Sequence, residues 1–178
     1  MGSTTILSLL LPLSLCFLFN QFSYVAGENP LIQKICHATP YYDLCISTLQ
    51  SDKTSEKSDT EGLVAIVVKQ AEATASSTYT YISKQMLTNG TMFGSAGELC
   101  ESHYETTRLT LQESANDLGN DSFDSAGRKA SEAREQAKTC GSDFARFSVT
   151  YPPDLAKRET LLKQLCDIAS NIISSLLV

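Results

Sequence analysis

The chain has 178 residues, a formal net charge of −6 and 42% hydrophobic residues. This length suits a single domain, and the hydrophobic content is sufficient for one core. The acidic balance and the lack of a basic run disfavour a nucleic-acid partner.

Residues 1–27 have the pattern of a signal peptide. The apolar run from Ile6 to Phe19 contains Pro12 and is shorter than the ~20 residues that a membrane helix needs. The small residues ending at Gly27 predict cleavage before Glu28, although no Lys or Arg precedes the apolar run, and a retained signal anchor is the alternative. We therefore expect residues 28–178 to form a secreted domain with no membrane partner, located in the apoplast or cell wall, or alternatively in the vacuole.

Two short helices and a linker are predicted ahead of the longer elements. The helices cover Leu31–Cys36 and Tyr41–Leu49, and Pro40 is expected at the first position of the second one. Neither helix is long enough to be stable alone, so we expect a hairpin that packs against a larger bundle. The linker Ser51–Asp59 alternates in charge and is expected to be a solvated loop.

Four longer segments have apolar residues at helical spacing. They are predicted to run from Thr60 to about Leu87, over Ser95–Gly119, over Asn120–Cys140 and over Asp154–Leu177. Because the connection at Gly119 is short, the second and third helices must be antiparallel. The predicted fold is therefore all-α: an up-down four-helix bundle with an N-terminal helical hairpin, stabilised by disulfides.

Residues that favour helix ends flank these segments. Thr60 and Asp154 are the predicted N-caps of the first and last long helices. Gly119 is the predicted C-cap of the second long helix, and Asn120 or Asp121 the N-cap of the third.

Five cysteines remain once Cys16 is removed with the signal peptide: Cys36, Cys45, Cys100, Cys140 and Cys166. An odd number in a secreted chain predicts disulfides and one free thiol. The sequence permits several pairings of these five residues. Cys166 lies within the apolar face of the last helix, and we interpret it as a buried free thiol.

Helical geometry favours one pairing over the others. Cys100 and Cys140 lie at nearly equal distances before and after Gly119, so the helical hairpin brings them to the same height. Proximity along the chain then favours Cys36 with Cys45.

The sequence offers little for catalysis. His37 and His103 have no neighbours that would complete a catalytic triad or a zinc site. The sequence has no glycine-rich phosphate loop. We therefore expect no enzyme activity, no cofactor and no metal, and a binding or inhibitory module is the better class.

One face of the first long helix is unusually polar, with Thr74, Ser77 and Thr78 among its residues. We favour the interpretation that the hydroxyls donate to carbonyls of their own helix while the face packs inward. The alternative is that the face binds a partner protein.

Two Asn-x-Ser/Thr sequences begin at Asn89 and Asn120, both near breaks between helices. Each is a weak indication of N-glycosylation taken alone. A glycan on Asn120 would argue against docking at Phe123, three residues away.

The cysteine pattern is combined with specific flanking residues. Ile35-Cys36 is followed by Leu44-Cys45-Ile46-Ser47-Thr48-Leu49, then by Glu61-Gly62-Leu63, the cysteines 100 and 140, and Leu165-Cys166-Asp167-Ile168. In this respect the chain resembles the plant invertase and pectin methylesterase inhibitor family from Leu31 to Leu177. The resemblance implies a disulfide-locked four-helix bundle with a helical hairpin, paired first with second and third with fourth cysteine. It also implies an enzyme as the protein partner.

The residues give mixed indications of which enzyme is the target. The segment Tyr151–Glu159 resembles inhibitors of β-fructosidase, the acid invertase. Of the Pro-Lys-Phe element found in other invertase inhibitors, only Phe123 is present. Thr139 and the segment Leu165–Ile168 resemble pectin methylesterase inhibitors. We favour acid invertase, with pectin methylesterase as the alternative and an allergen-like or storage-like bundle without a strong enzyme target as a third interpretation.

Each target predicts different contacts in a one-to-one complex with a monomeric inhibitor. For invertase, Phe123 and the adjacent Ser122 are the expected contacts. For pectin methylesterase, the expected contacts are Thr139 and the polar face with Thr74, Ser77 and Thr78.

Overall fold

A computed structural model describes residues 29–89 and 93–177, and every regular element within these ranges is helical. In chain order the helices are α1 (Pro30–His37), α2 (Tyr42–Ser51), α3 (Thr60–Asn89), α4 (Gly94–Leu118), α5 (Phe123–Arg146) and α6 (Pro153–Ser174), with a short 3-10 turn over Ser55–Lys57. Each long helix packs on its neighbour in sequence, and α6 returns to pack on α3. The predicted all-α bundle with an N-terminal hairpin is therefore confirmed. The predicted signal peptide lies outside the described residues.

Helix α5 contributes a row of short side chains to the core. Ala126, Ala130, Ala133 and Ala137 recur at helical spacing and are completely buried. Short side chains let neighbouring helices approach closely. At the disulfide Cys100–Cys140, which joins α4 to α5, the two Cα atoms lie 4.5 Å apart.

The N-terminal hairpin of α1 and α2 is closed by the disulfide Cys36–Cys45, with its Cα atoms 5.5 Å apart. Asn29 caps α1, because its Oδ1 accepts a hydrogen bond from the Leu31 amide at 2.9 Å. Its Nδ2 donates to the Glu56 carbonyl at 3.2 Å, which ties the start of the hairpin to the 3-10 turn. The hairpin therefore rests on the bundle and is not an extended arm.

The ends of the first helices differ from the predictions. Thr60 is the first residue of α3 and not its cap: the Gly62 amide donates to Asp59 Oδ1 at 2.9 Å. Pro40 lies outside α2, and Pro30 occupies the first turn of α1 instead. The expected solvated loop also contains a buried residue, since Ser55 is only 1% exposed in the 3-10 turn.

Of the later helix ends, one is as predicted and one differs. Gly119 is the C-cap of α4, as predicted, although its φ is −66° and the residue in the left-handed region is Asp121, with φ of 55°. The N-cap position of α5 is Ser122, not Asn120 or Asp121.

Two boundaries of α5 and α6 were misplaced. Helix α5 continues past Cys140 to Arg146, and Asp154 lies within the first turn of α6, where Pro152 holds the cap position. Proline suits a helix start because the missing amide hydrogen would have had no partner there.

Two leucines of the segment predicted as the last helix, Asp154–Leu177, are exposed. Leu161 is 37% exposed on α6, and Leu177 follows the helix end and is 54% exposed. The buried side of α6 is consequently narrower than the sequence suggested.

Candidate target-binding surface

Ser122 and Phe123 lie at the end of the bundle where α4 turns into α5. Ser122 is exposed, and Phe123 is half-buried against the core. Phe123 lines an open cleft of about 500 Å³ between the start of α5 and the end of α6. The other lining residues are Asp124, Gly127, Arg128, Ser131, Ser170, Ile173, Ser174 and Leu177.

Small side chains form the floor of this cleft. Gly127 and Ser131 on α5 face Ser170 and Ser174 on α6. A Cβ atom at Gly127 would lie 3.2 Å from Cγ2 of Ile173, so even alanine would crowd the contact. The sequence reasoning missed these residues, although small residues four apart on both helices were a usable signal.

Charged residues surround the same end of the bundle. Arg128 pairs with Asp124 at the cleft, and Lys129 on α5 pairs with Glu113 on α4. These pairs are exposed to solvent, where ion pairs contribute little to stability. Their main effect is therefore on the distribution of charge over the surface that an approaching partner contacts.

The polar face of α3 is mostly internal. Thr74 is 7% exposed and Thr78 is completely buried, and their hydroxyls donate to the carbonyls of Gln70 and Thr74 at 2.8 and 2.7 Å. The two threonines therefore cannot contact a partner while the bundle is folded, and the interpretation that they pack inward is correct for them. Ser77 is the exposed member of the set.

Ser77 and Thr139 lie away from Phe123. Ser77 accepts a hydrogen bond from Arg158 Nη1 at 3.4 Å, and the Arg158 guanidinium lies 4.8 Å from the centre of the Tyr81 ring. Thr139 is half-buried on α5 and donates to the Glu135 carbonyl at 3.0 Å. Along α5 it stands about 24 Å from Phe123, so the candidate contacts do not form one site.

A polar cluster of His103 with Gln136 and Asp143, two residues that the sequence did not single out, bridges α4 and α5. The His103 ring nitrogens lie 3.1 Å from Gln136 Oε1 and 3.0 Å from Asp143 Oδ2. Asp143 is nearly buried and also pairs with Arg146 at 3.1 Å. With both nitrogens engaged between helices, His103 has a structural role in this arrangement.

A second internal polar cluster joins α6 to the segment before it. The Tyr151 hydroxyl donates to Glu159 Oε2 at 2.7 Å, and Lys163 Nζ lies 3.1 Å from Glu159 Oε1. Burial, with the hydrogen bond to Glu159, raises the pKa of Tyr151 well above its usual value. The buried carboxylate of Glu159 is thus bonded at both oxygens, as a buried charge requires.

Cys166 is a free thiol inside the core, completely buried. Burial raises the pKa of this thiol to about 12. Because the thiolate is the reactive form, Cys166 is inert as a nucleophile in the folded protein.

The described residues contain no group of three or more His, Cys, Asp or Glu side chains that could hold a metal ion. In the same ranges, no helix is both long and apolar enough to cross a membrane. Asn120 is exposed at the α4–α5 turn, whereas the side chain of Asn89 lies outside the described residues.

The profile described as plant invertase/pectin methylesterase inhibitor matches residues 30–172. The chain belongs to this family. The resemblance carried by the cysteine spacing is thereby confirmed at the level of the family. Its named relatives are inhibitors of enzymes and not enzymes themselves.

Two relatives of this inhibitor family member carry different target names. Cell wall / vacuolar inhibitor of fructosidase 2 from Arabidopsis thaliana is 29% identical over 158 residues, which cover 85% of this chain and 86% of that protein. Pectinesterase inhibitor 28 from Oryza sativa subsp. japonica is 33% identical over 156 residues, covering 82% and 69%.

Solved structures support the fold. A mutant form of a pectin methylesterase inhibitor from Arabidopsis aligns with a TM-score of 0.67 at 23% identity, covering 80% of this chain and 95% of that one. A pectin methylesterase inhibitor from Arabidopsis thaliana aligns with a TM-score of 0.61 at 22% identity, covering 82% and 95%.

Proposed function

We propose that this family member is a secreted, monomeric inhibitor that binds a plant acid invertase one-to-one and blocks its active-site cleft. The observation that carries the proposal is the position of Phe123, half-buried at a cleft on the end of a disulfide-locked bundle. An aromatic side chain already held by its own core loses little conformational freedom on binding. The apoplast, cell wall or vacuole is the proposed location, in line with the name of the Arabidopsis relative.

Inhibition would occur by occlusion. A specific interface of this kind needs about 800 Å² from each partner. The first turns of α5 and the last turn of α6, which border the cleft at Phe123, supply the surface for that purpose. Binding energy in such interfaces is concentrated in a few anchors, and aromatic residues are frequent among them.

The deciding experiment titrates the refolded mature protein against a purified acid invertase and a plant pectin methylesterase. We expect invertase to be inhibited and Phe123→Ala to weaken inhibition by about 30-fold or more, which corresponds to about 2 kcal/mol. Phe147→Ala is the matched control, because Phe147 is a 43% exposed aromatic residue at the other end of α5. It should leave inhibition unchanged.

A thermal melt of each variant separates loss of contact from loss of folding, since Phe123 also packs on the core. Equal effects of the two phenylalanine variants would contradict docking through the cleft. Inhibition of the methylesterase alone would make the alternative target correct.

The pectin methylesterase alternative is favoured by one observation, the 33% identity with the rice pectinesterase inhibitor. On that alternative, Thr139→Ala and Ser77→Ala would weaken inhibition more than Phe123→Ala. No effect on either enzyme at micromolar concentrations would favour a bundle without a strong enzyme target.

A further inference from the structure

The turn between α4 and α5 presents three consecutive exposed residues, Asn120, Asp121 and Ser122. Asp121 adopts a φ of 55°, and the Ser122 amide donates to the Asp117 carbonyl at 2.9 Å. The chain therefore bends sharply at the end of the bundle with these side chains on its surface. They form the sequence Asn-x-Ser that is the acceptor for N-glycosylation.

The contacts of this turn are compatible with an attached sugar. Asn120 Nδ2 donates to the Asn116 carbonyl at 2.8 Å, an exposed bond that uses one of its two hydrogens. A glycan replaces one amide hydrogen and leaves the other for this bond. The Ser122 hydroxyl makes only a 3.3 Å bond to the Asn120 carbonyl and does not cap α5.

We propose that Asn120 is an N-glycosylation site. In this reaction the Asn120 amide nitrogen bonds to the anomeric carbon of an oligosaccharide carried on a polyprenyl diphosphate. The carbon–oxygen bond to the diphosphate breaks, the lipid diphosphate leaves with the bonding electrons, and the amide nitrogen loses one proton. The oligosaccharide-transferring enzyme of the plant cell catalyses the step as the chain enters the secretory pathway.

Since Asn120 is three residues from Phe123, docking of Phe123 requires the glycan to lie on the α4 side of the turn. The side chain of Asn120 is hydrogen-bonded to the carbonyl of Asn116 near the end of α4, whereas Phe123 lines the cleft between α5 and α6. The modification depends on the proposed secretion and not on the identity of the target enzyme. Its test is therefore independent of any inhibition assay.

The test expresses the full chain in plant cells and measures the intact mass of the secreted protein before and after treatment with an amidase that releases N-glycans. Asn120→Gln and Ser122→Ala should each lose the mass of one glycan. Ser122→Ala keeps the asparagine and removes no helix cap. Asn116→Gln is the matched control, because Asn116 is exposed one turn earlier but is followed by Asp-Leu.

Peptide mapping assigns the site, since enzymatic release converts the modified asparagine to aspartate. Aspartate at position 120 in the treated wild-type protein is the expected result, and Asn89→Gln should not change it. An unmodified Asn120 in secreted protein, a glycan at Asn120 that survives Ser122→Ala, or a chain that keeps residues 1–27 and no sugar would each overturn the proposal.

Discussion

Removal of the Cys100–Cys140 disulfide should destabilise the protein more than removal of the disulfide in the hairpin. The two cysteines are 40 residues apart. Closing a loop of that length lowers the entropy of the unfolded chain and so raises the free energy of unfolding by about 4 kcal/mol. The cysteines 36 and 45 are 9 residues apart, which gives about 2.7 kcal/mol by the same relation. The double variants Cys100→Ala/Cys140→Ala and Cys36→Ala/Cys45→Ala test this difference.

The appropriate measurement is unfolding in urea, monitored by the circular dichroism signal of the helices. With a slope of about 2 kcal/mol per molar urea, the long-loop variant should shift its midpoint by about 2 M and the short-loop variant by somewhat less. Both cysteines of each pair must be replaced together, since a single replacement leaves a thiol that could pair with Cys166.

All four half-cystines are completely buried, so alanine replacement removes buried sulfur in both variants to a similar extent. The comparison therefore isolates the effect of loop length. If the long-loop variant lost no more stability than the short-loop variant, the entropy of the unfolded loop would not be the main contribution. Packing of α4 against α5 would then be sufficient to hold the bundle.

Three further predictions concern stability and pH. Cys166→Ser should destabilise by about 1–3 kcal/mol if the buried hydroxyl lacks a partner, while inhibition is retained; a loss of inhibition with an unchanged helical spectrum would instead indicate a functional thiol. Because burial raises the pKa of Cys166 from 9.0 to about 12, the contribution of this thiol to stability should be constant below pH 9.0 and be lost as pH rises towards 12, and Cys166→Ala should reduce this decline in urea titrations at several pH values. Inhibition should be tighter near pH 5 than near pH 7, since a chain with a formal charge of −6 is repelled less when the carboxylates of an acidic cleft are partly neutralised; equal inhibition constants at both values would contradict this electrostatic argument.

The helices and their pairing could be predicted from the sequence because they depend on periodic patterns. Ala126, Ala130, Ala133 and Ala137 recur at helical spacing in α5, and the structure buries all four in the core. The heights of Cys100 and Cys140 relative to the turn follow from helical rise alone. Such features need no knowledge of the neighbouring side chains.

Helix ends were harder to predict from the sequence, because several polar residues could serve as the cap of each helix. Asp59 and Thr60 are both suitable caps for α3, and the hydrogen bond to the Gly62 amide decides for Asp59. The third long helix was predicted to end at Cys140, yet α5 continues through Gly141 to Arg146. A glycine within a helix costs only about 1 kcal/mol, which tertiary packing can overcome.

The candidate site could be predicted only in part from the sequence, because it depends on tertiary contacts. Phe123 could be proposed from its position after the turn, but the cleft requires the end of α6 to lie beside α5. The exposure of Ser77 and the burial of Thr78 could not be separated by periodicity, since both lie on the same polar stretch of α3. Only the packing of neighbouring helices distinguishes them.

The position of Leu177 has a practical consequence for recombinant protein. Because Ser174 and Leu177 line the cleft, any peptide joined after α6 emerges at its rim, beside Phe123. A purification tag or fluorescent fusion at the carboxyl terminus would occupy the space through which a target must approach. Protein prepared for binding measurements should therefore carry a removable carboxyl-terminal fusion or none.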